Sequence, residues 1–145
     1  MDFIEQYIID SKNILEKIDR NQISRMVSII NQTRTINGRM FILGVGGGAG
    51  HASHAVNDFR KICGIEAYTP TDNVSEMTAR INDDGWDTAY VNWLKGSRLN
   101  KDDMLFVFSV GGGDLEKSIS VNIVKSLQYA KEVGSKICGV VGRDG

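Results

Sequence analysis

The two histidines of the chain lie close to an aspartate in a spacing that suggests chemistry. His51 and His54 precede Asp58, so on a helix His54 and Asp58 share a face and His51 lies one turn earlier. An imidazole beside a carboxylate can act as general acid and base, and the same nitrogen and oxygen atoms are ligands that zinc accepts. Pairs at this spacing also occur on ordinary helix surfaces, so the spacing alone leaves the role open.

Glycines gather at two places, each directly after an apolar run that predicts a strand. The first cluster lies in residues 44–50 and the second in residues 109–114. Glycine lets backbone N–H groups approach an anion, and the N-terminus of a following helix adds its positive end. In open α/β sheets, ligands bind beyond the carboxyl ends of the strands, where both clusters would lie. The clusters therefore predict a phosphate site, with the His54–Asp58 pair one helical turn away; the alternative is two tight turns without a ligand.

The first cluster also matches part of a dinucleotide-binding fingerprint. Gly44, Gly46 and Ala49 fit G-x-G-x-x-A, whereas the acid expected at the end of the second strand is not there, since Glu66 lies at that strand's start. A second glycine loop is not part of that fingerprint. The sequence contains no G-x-x-x-x-G-K-[ST], which excludes a P-loop. A nicotinamide-dependent dehydrogenase is therefore the least favoured of the functions considered.

The segments around these residues predict an α/β fold. Residues 2–36 carry two apolar stripes at helical spacing, and from Arg39 onward short apolar runs alternate with helical segments. Such alternation predicts a parallel sheet in a three-layer α-β-α sandwich, preceded by two N-terminal helices. We expect strands at 40–43, 65–69, 104–108 and 136–141, with helices at 50–63, 75–81, 85–94 and 121–133.

The two parts of the chain have different expected roles. Residues 1–38 are predicted to serve oligomerisation and core packing, because their two helices carry more apolar surface than one small sheet covers. Residues 39–145 form the predicted ligand-binding domain. This domain stops just after a strand, where a doubly wound fold would turn into another helix. We therefore expect the domain to be incomplete at its C-terminus.

Composition and charge exclude several classes of protein. The 145 residues are 41% hydrophobic and 24% charged, as in soluble globular domains. Seventeen basic and eighteen acidic side chains give a formal charge of −1, so we expect no nucleic-acid partner. No apolar run approaches the roughly 18 residues of a membrane helix. Cys63 and Cys138 stand apart with no signal peptide before them, which predicts reduced thiols in a cytoplasmic protein.

Several segments together resemble sugar isomerase (SIS) domains, and more narrowly the sedoheptulose 7-phosphate (phosphoheptose) isomerase family. The strand, the Gly44-Val45-Gly46-Gly47-Gly48 turn and the helix with His54 and Asp58 resemble the family's first signature. Further segments agree in order and spacing: Thr71-Asp72, Asn82-Asp83-Asp84-Gly85-Trp86, Asp103 to Ser109, Ser120-Val121-Asn122 and Gly142-Arg143-Asp144-Gly145. The resemblance covers essentially the whole chain.

The resemblance implies a flavodoxin-like parallel sheet and a homotetramer with active sites between subunits. It implies conversion of sedoheptulose 7-phosphate to D-glycero-D-manno-heptose 7-phosphate through a cis-enediol, for surface polysaccharide. His54 and Asp58 would be the catalytic residues and the ligands of zinc, one ion per site, where the chemistry uses a metal. The implied substrate-binding residues are Val45, Gly46, Gly47, Asn82, Asp83, Ser109, Val110, Gly111 and Ser120.

The chain departs from the family pattern at several of these positions. Asp58 stands where the family has glutamate, and Val45 where it usually has asparagine. Val110 and Gly111 replace hydroxyl residues, so phosphate binding would depend on backbone N–H groups. Residues 111–119 exceed the family's Ser-Gly-Asn-Ser loop in length, and the family's later glutamine and histidine would lie beyond the last residue. These departures keep a second hypothesis open, in which a non-catalytic SIS module senses a phosphosugar or binds a protein partner.

Overall fold

Four apolar runs of the chain form the strands of one parallel sheet. In the computed structural model, which describes residues 2–143, they are β1 (Met40–Gly44), β2 (Ala67–Tyr68), β3 (Met104–Ser109) and β4 (Lys136–Val141). Their order is β2-β1-β3-β4, and each neighbouring pair is parallel. This is the flavodoxin-like order as far as its fourth strand. The prediction of a parallel doubly wound sheet is therefore confirmed.

The register of the sheet brings the two glycine clusters side by side. Gly44 at the end of β1 pairs with Phe108 in β3, and Ser109 at the end of β3 pairs with Val141 in β4. Parallel strands have their carboxyl ends at one edge of the sheet. The loops that follow β1 and β3 therefore begin next to each other at that edge.

Residues 2–143 form six α-helices, all near their predicted positions. They are α1 (Phe3–Lys17), α2 (Arg20–Thr35), α3 (Gly47–Lys61), α4 (Val74–Asp84), α5 (Trp86–Gly96) and α6 (Val121–Glu132). The predicted start of α3 at Gly50 is wrong, because the helix already begins at Gly47. Gly47 and Gly48, which the sequence pattern assigns to a loop, thus belong to the first turn of a helix. No helix within residues 2–143 has the length and apolar character needed to cross a membrane.

The helices cover both faces of the sheet and form two hydrophobic cores. One core joins α4, α5 and α6 to the sheet face that carries Phe41 and Leu105. The other joins α3 and α2 to the face that carries Ile42 and Phe106. Burying each such side chain stabilises the fold by about 1.5–3 kcal/mol before the entropy of ordering is subtracted. The three-layer α-β-α arrangement is confirmed.

The two N-terminal helices differ in what they bury. Each begins at an aspartate that accepts backbone hydrogen bonds, Asp2 for α1 and Asp19 for α2. α2 packs Met26 and Ile29 against the second core. No residue of α1 is buried, and its Phe3 is 83% exposed. The oligomerisation role expected for residues 1–38 stays a prediction.

A charged pair fixes the amino end of the sheet. The Asp103 carboxylate is 1% exposed and accepts bonds from the Arg39 guanidinium at 2.7 and 3.1 Å. The amide groups of Arg39 and Asn100 donate to the same carboxylate. The hydrogen bond that Arg39 donates to Asp103 is the main cause of the raised pKa of Arg39. The pair joins the starts of β1 and β3 at the edge opposite the glycine loops.

Candidate functional site

The first loop is a tight turn that leads from β1 directly into α3. Gly46 has φ +58° and ψ −122°, a backbone conformation available mainly to glycine. Gly48 lies so close to β3 that a Cβ atom there would be 2.9 Å from the Phe108 carbonyl oxygen. The glycines of this segment therefore close a turn and let α3 approach the end of the central strand.

Backbone N–H groups at this turn are available to an anion. Among the hydrogen bonds of residues 2–143, the amides of Gly46 and Gly47 donate to no acceptor. They form the start of α3, which has no side-chain cap. Unpaired amides and the positive helix end favour a negative group here. The neighbouring Val45 is 40% exposed and offers only its backbone to a polar ligand.

His54 and Asp58 meet on α3 as the spacing predicts. His54 Nε2 lies 3.4 Å from Asp58 Oδ2, with side chains 77% and 45% exposed. Because α3 begins at Gly47, His54 lies about 10 Å along the helix from its start, which is two turns rather than the predicted one. His51 is nearer the loop, with its ring centroid 5.8 Å from that of Phe108.

The pair offers two atoms of the types that bind zinc in proteins. An imidazole nitrogen and a carboxylate oxygen are ordinary zinc ligands, but catalytic zinc sites have three protein ligands. No cluster of three or more His, Cys, Asp or Glu side chains with metal-site geometry occurs within residues 2–143. His54 and Asp58 therefore fit a zinc ion as two of its ligands, and the remainder must come from elsewhere.

Asn82 and Asp83 lie in the last turn of α4, and their side chains are exposed to solvent. The Asn82 amide donates to the Asp83 carboxylate at 2.8 Å, and both residues are partly or fully exposed. Gly85, with φ +80°, ends α4 and leads into α5. In the part of the chain from 2 to 143, no hydrogen bond joins this pair to either glycine loop or to His54. Within residues 2–143, the Asn82–Asp83 pair is thus not joined to the other predicted site residues by hydrogen bonds.

The second loop follows β3 and offers mostly backbone groups. The Ser109 hydroxyl donates to the Gly112 carbonyl at 3.1 Å, which uses its hydrogen within the loop. Val110 is 73% exposed and apolar. The amides of Gly111, Gly112 and Gly113 donate to no acceptor among the described residues. Backbone N–H groups are therefore the main donors of this loop, as the sequence predicts.

The long segment within the second loop folds back on itself. Asp114 and Ile119 exchange two backbone hydrogen bonds, of 2.9 and 2.8 Å. The Asp114 carboxylate accepts from the amides of Lys117 and Glu116 and lies 3.3 Å from the Lys117 ammonium. These contacts, the Lys117 amide first, lower the pKa of Asp114. Residues 114–119 therefore form a closed projection with its charges paired internally.

Ser120 connects this projection to α6. It has a left-handed conformation, with φ +47° and ψ +42°, and its side chain makes no capping bond. Behind it, Asn122 is fully buried, and its Nδ2 has no partner in the described part of the chain. Gly113 lies against the start of α6, since a Cβ atom there would meet the Val124 side chain and lie 3.5 Å from the Ser120 carbonyl oxygen.

Two contacts at the site were not predicted from the sequence. The Tyr90 hydroxyl, in the core, donates to the Gly44 carbonyl at 2.8 Å, and burial raises the pKa of this phenol. Ser53, beside His54, donates to Asp72 at 2.9 Å and so joins α3 to the turn after β2. Tyr90 lies in the predicted 85–94 helix, and helical spacing gives no sign of where a hydroxyl points.

The structure disfavours the dinucleotide alternative. Glu66 precedes β2, and its carboxylate accepts a bond from the Tyr68 hydroxyl at 2.9 Å. A dinucleotide site needs an acid at the carboxyl end of that strand, where it binds a ribose. Glu66 therefore does not supply the acid that the dinucleotide-binding fingerprint requires.

Comparisons with known proteins agree on one kind of relative. No protein-family model matches the chain. A phosphoheptose isomerase from Helicobacter pylori (strain P12) is 27% identical over 154 aligned positions, which cover 99% of this chain and 76% of that protein. A probable phosphoheptose isomerase from Thermoplasma volcanium is 27% identical over 147 positions, covering 98% of this chain and 71% of that protein.

Solved structures give the same result. A phosphoheptose isomerase from Neisseria gonorrhoeae superimposes with a TM-score of 0.82 at 25% identity, over 94% of this chain and 70% of that one. A phosphoheptose isomerase from Francisella tularensis has a TM-score of 0.84 at 19% identity, over 100% of this chain and 77% of that one, which shows the shared fold. In both sequence and fold, the chain is therefore similar to phosphoheptose isomerases.

Proposed function

We propose that the protein is an aldose–ketose isomerase acting on a phosphorylated sugar. The proposed reaction converts sedoheptulose 7-phosphate to D-glycero-D-manno-heptose 7-phosphate, which supplies heptose for surface polysaccharide. The observation that carries the proposal is the resemblance to phosphoheptose isomerases over nearly the whole chain. The glycine loops at adjacent strand ends support it, because they offer unpaired amides to a phosphate.

The second loop is the proposed phosphate site. The amides of Gly111–Gly113 and the hydroxyl of Ser120 are available as donors, and the start of α6 adds its positive end. Ser109 contributes by shaping the loop through its bond to Gly112. Val110 contributes only backbone atoms.

The first loop and the α4 end hold the rest of the sugar in this proposal. Val45, Gly46 and Gly47 present backbone groups, and Asn82 and Asp83 present an amide and a carboxylate to sugar hydroxyls. His54 lies about 10 Å along α3 from the first loop.

Asp58 and His54 carry the proposed proton transfer. The Asp58 carboxylate takes a proton from C1 of the ketose while the C2 oxygen gains one, which gives the cis-enediol. The Asp58 carboxyl group then delivers a proton to C2 as the C1 oxygen loses its proton, which gives the aldose. His54, 3.4 Å from Asp58, holds the carboxylate in place and exchanges protons with the sugar oxygens. Atoms and charge balance without a redox cofactor.

Zinc, at one ion per site, is a proposed cofactor with His54 and Asp58 among its ligands. Bound there, the metal would polarise the sugar oxygens as a Lewis acid. The proton transfers above require only the side chains.

A homotetramer with sites between subunits is part of the proposal. His54 is 77% exposed, whereas proton transfer in an enzyme benefits from exclusion of water. The unburied apolar side chains of α1, such as Phe3 and Leu15, support burial against other copies. Two free, half-buried cysteines, Cys63 and Cys138, support a reducing cytoplasmic location.

The alternative is a non-catalytic SIS module that senses a phosphosugar or binds a protein partner. The observation that favours it is the shorter carboxylate of Asp58 together with the high exposure of the pair. In that case both loops would bind the sugar phosphate and no conversion would follow.

Incubation with sedoheptulose 7-phosphate in D2O, with and without zinc and followed by NMR, tests the proposal. We expect aldose product and deuterium at C2, because a proton held by Asp58 exchanges with solvent. His54→Gln should abolish both signals, and His51→Gln is the matched control that should retain them. Thermal-shift titration with the same sugar identifies the alternative, for which binding without conversion is expected. If the protein neither converts nor binds the sugar phosphate, both functions are contradicted.

A further inference from the structure

The chain beyond β4 lies directly on the second glycine loop. The Gly142 amide donates to the Ser109 carbonyl at 3.0 Å, and a Cβ atom at Gly142 would be 2.6 Å from the Val110 carbonyl oxygen. Arg143 follows with φ +52°. A Cβ atom at Gly111 would be 3.6 Å from both Cδ and Nη1 of Arg143. The guanidinium group therefore lies against the middle of the loop.

The loop itself brings little positive charge to a phosphate. Its amides are neutral, and Lys117 lies 3.3 Å from the Asp114 carboxylate. Arg143 forms no ion pair with a carboxylate in residues 2–143 and is exposed. A phosphate monoester carries between one and two negative charges near neutral pH. Arg143 is thus the cation adjacent to the loop amides that remains available to such a ligand.

The geometry points to Arg143 as the charged side chain that binds the phosphate of the sugar substrate, together with the amides of Gly111–Gly113. This inference rests on the proposed function and adds a residue from another strand end to its phosphate site. A guanidinium can donate two parallel hydrogen bonds to phosphate oxygens, and charge-assisted bonds of this kind are the strong ones.

Arg143→Gln tests this inference, with Arg143→Lys and Arg98→Gln beside it. Arg98 is a matched control, since it is also an exposed arginine in a left-handed conformation, with φ +54°, but precedes β3 at the opposite edge of the sheet. Two quantities are measured, the KM for sedoheptulose 7-phosphate and the dissociation constant of inorganic phosphate. We expect Arg143→Gln to raise both by about tenfold or more, Arg143→Lys to give intermediate values, and Arg98→Gln to change neither.

The outcomes separate this inference from the proposed function. Normal turnover with an unchanged KM in Arg143→Gln overturns the role of Arg143 and leaves the isomerase in place. If the wild-type protein converts no sugar phosphate but binds inorganic phosphate, and Arg143→Gln loses that binding, the isomerase function is overturned and the phosphate site is supported. Inorganic phosphate that binds wild type and Arg143→Gln equally, or binds neither, overturns the role of Arg143. Circular dichroism against Arg98→Gln checks folding, and Arg143→Lys decides the matter if Arg143→Gln does not fold.

Discussion

The hydroxyl of Tyr90 donates a hydrogen bond of 2.8 Å to the carbonyl of Gly44, the residue at which β1 turns into the first loop. Tyr90 is 1% exposed and belongs to α5. The bond therefore connects a helix on one face of the sheet to the backbone of the proposed substrate site. It gives the buried Gly44 carbonyl a side-chain donor. Core packing and the shape of the loop thus depend on the same side chain.

Tyr90→Phe should lower the free energy of unfolding by about 1–3 kcal/mol, because the Gly44 carbonyl loses its donor while the ring stays packed. Tyr68→Phe is the matched control, since the Tyr68 hydroxyl donates to Glu66 at the surface. For that variant we expect a change within about 0.5 kcal/mol. Urea denaturation of both variants measures the difference. Equal losses in the two would show that the Gly44 contact contributes nothing specific.

The same tyrosine predicts how stability depends on alkaline pH. Burial raises the pKa of Tyr90 in the folded protein above the value near 10 of an unfolded tyrosine. The unfolded chain therefore ionises first, so the contribution of Tyr90 is fully present below about pH 10 and is lost as the pH rises through the folded pKa. Unfolding free energies at several pH values from 8 to 11 should fall more steeply for wild type than for Tyr90→Phe. Parallel curves would contradict this.

The sequence predicted the strands and helices because their apolar spacing is regular, and it predicted that β1 and β3 end at one edge because parallel strands must. It missed the start of α3, since Gly47 and Gly48 have low helix propensity, and Gly48 is required there because β3 lies close by. The spacing of His54 and Asp58 predicted their contact, which is local. The bond from Tyr90 to Gly44 joins residues 46 positions apart, and such a distant partner cannot be predicted from the type of side chain alone.

Asp103→Ala should lower the free energy of unfolding by about 3–5 kcal/mol, because removing one partner leaves the Arg39 guanidinium and two amides without their acceptor. Asp102→Ala is the matched control, since the Asp102 side chain is 56% exposed and its pair with Lys101 should contribute less than about 1 kcal/mol. Thermal and urea denaturation measure both.

The Asp103 pair lies at the edge opposite the loops, so a stability loss should leave substrate affinity unchanged. If Asp103→Ala does not fold, Arg39→Lys replaces it, because lysine keeps the charge and loses the two-pronged contact. A rise in KM without a loss of stability would place this pair in the substrate site and contradict its structural role.

His54→Gln should remove zinc binding, because the imidazole is one of two ligands that the described residues bring together. Isothermal titration with zinc measures the stoichiometry, for which we expect one ion per chain in the wild-type protein. His51→Gln is the control, since His51 lies one turn away on the same helix. Zinc that binds His54→Gln as well as wild type would contradict the proposed metal site, as would a wild-type protein that binds none.

Gly46 and Gly47 give a sharp test of why the first loop contains glycine. A Cβ atom at either position would meet nothing within 4 Å, so crowding does not distinguish them. Gly46 has φ +58° and ψ −122°, which an L-residue adopts only with strain, whereas Gly47 begins a helix. Gly46→Ala should therefore lower the free energy of unfolding by about 1–3 kcal/mol. Gly47→Ala should leave it unchanged or raise it by up to about 1 kcal/mol, because alanine favours the helix. Urea denaturation measures both variants. If the two glycines were needed only for the approach of a ligand, neither substitution would alter the free energy of unfolding, and the role of backbone strain at Gly46 would be contradicted.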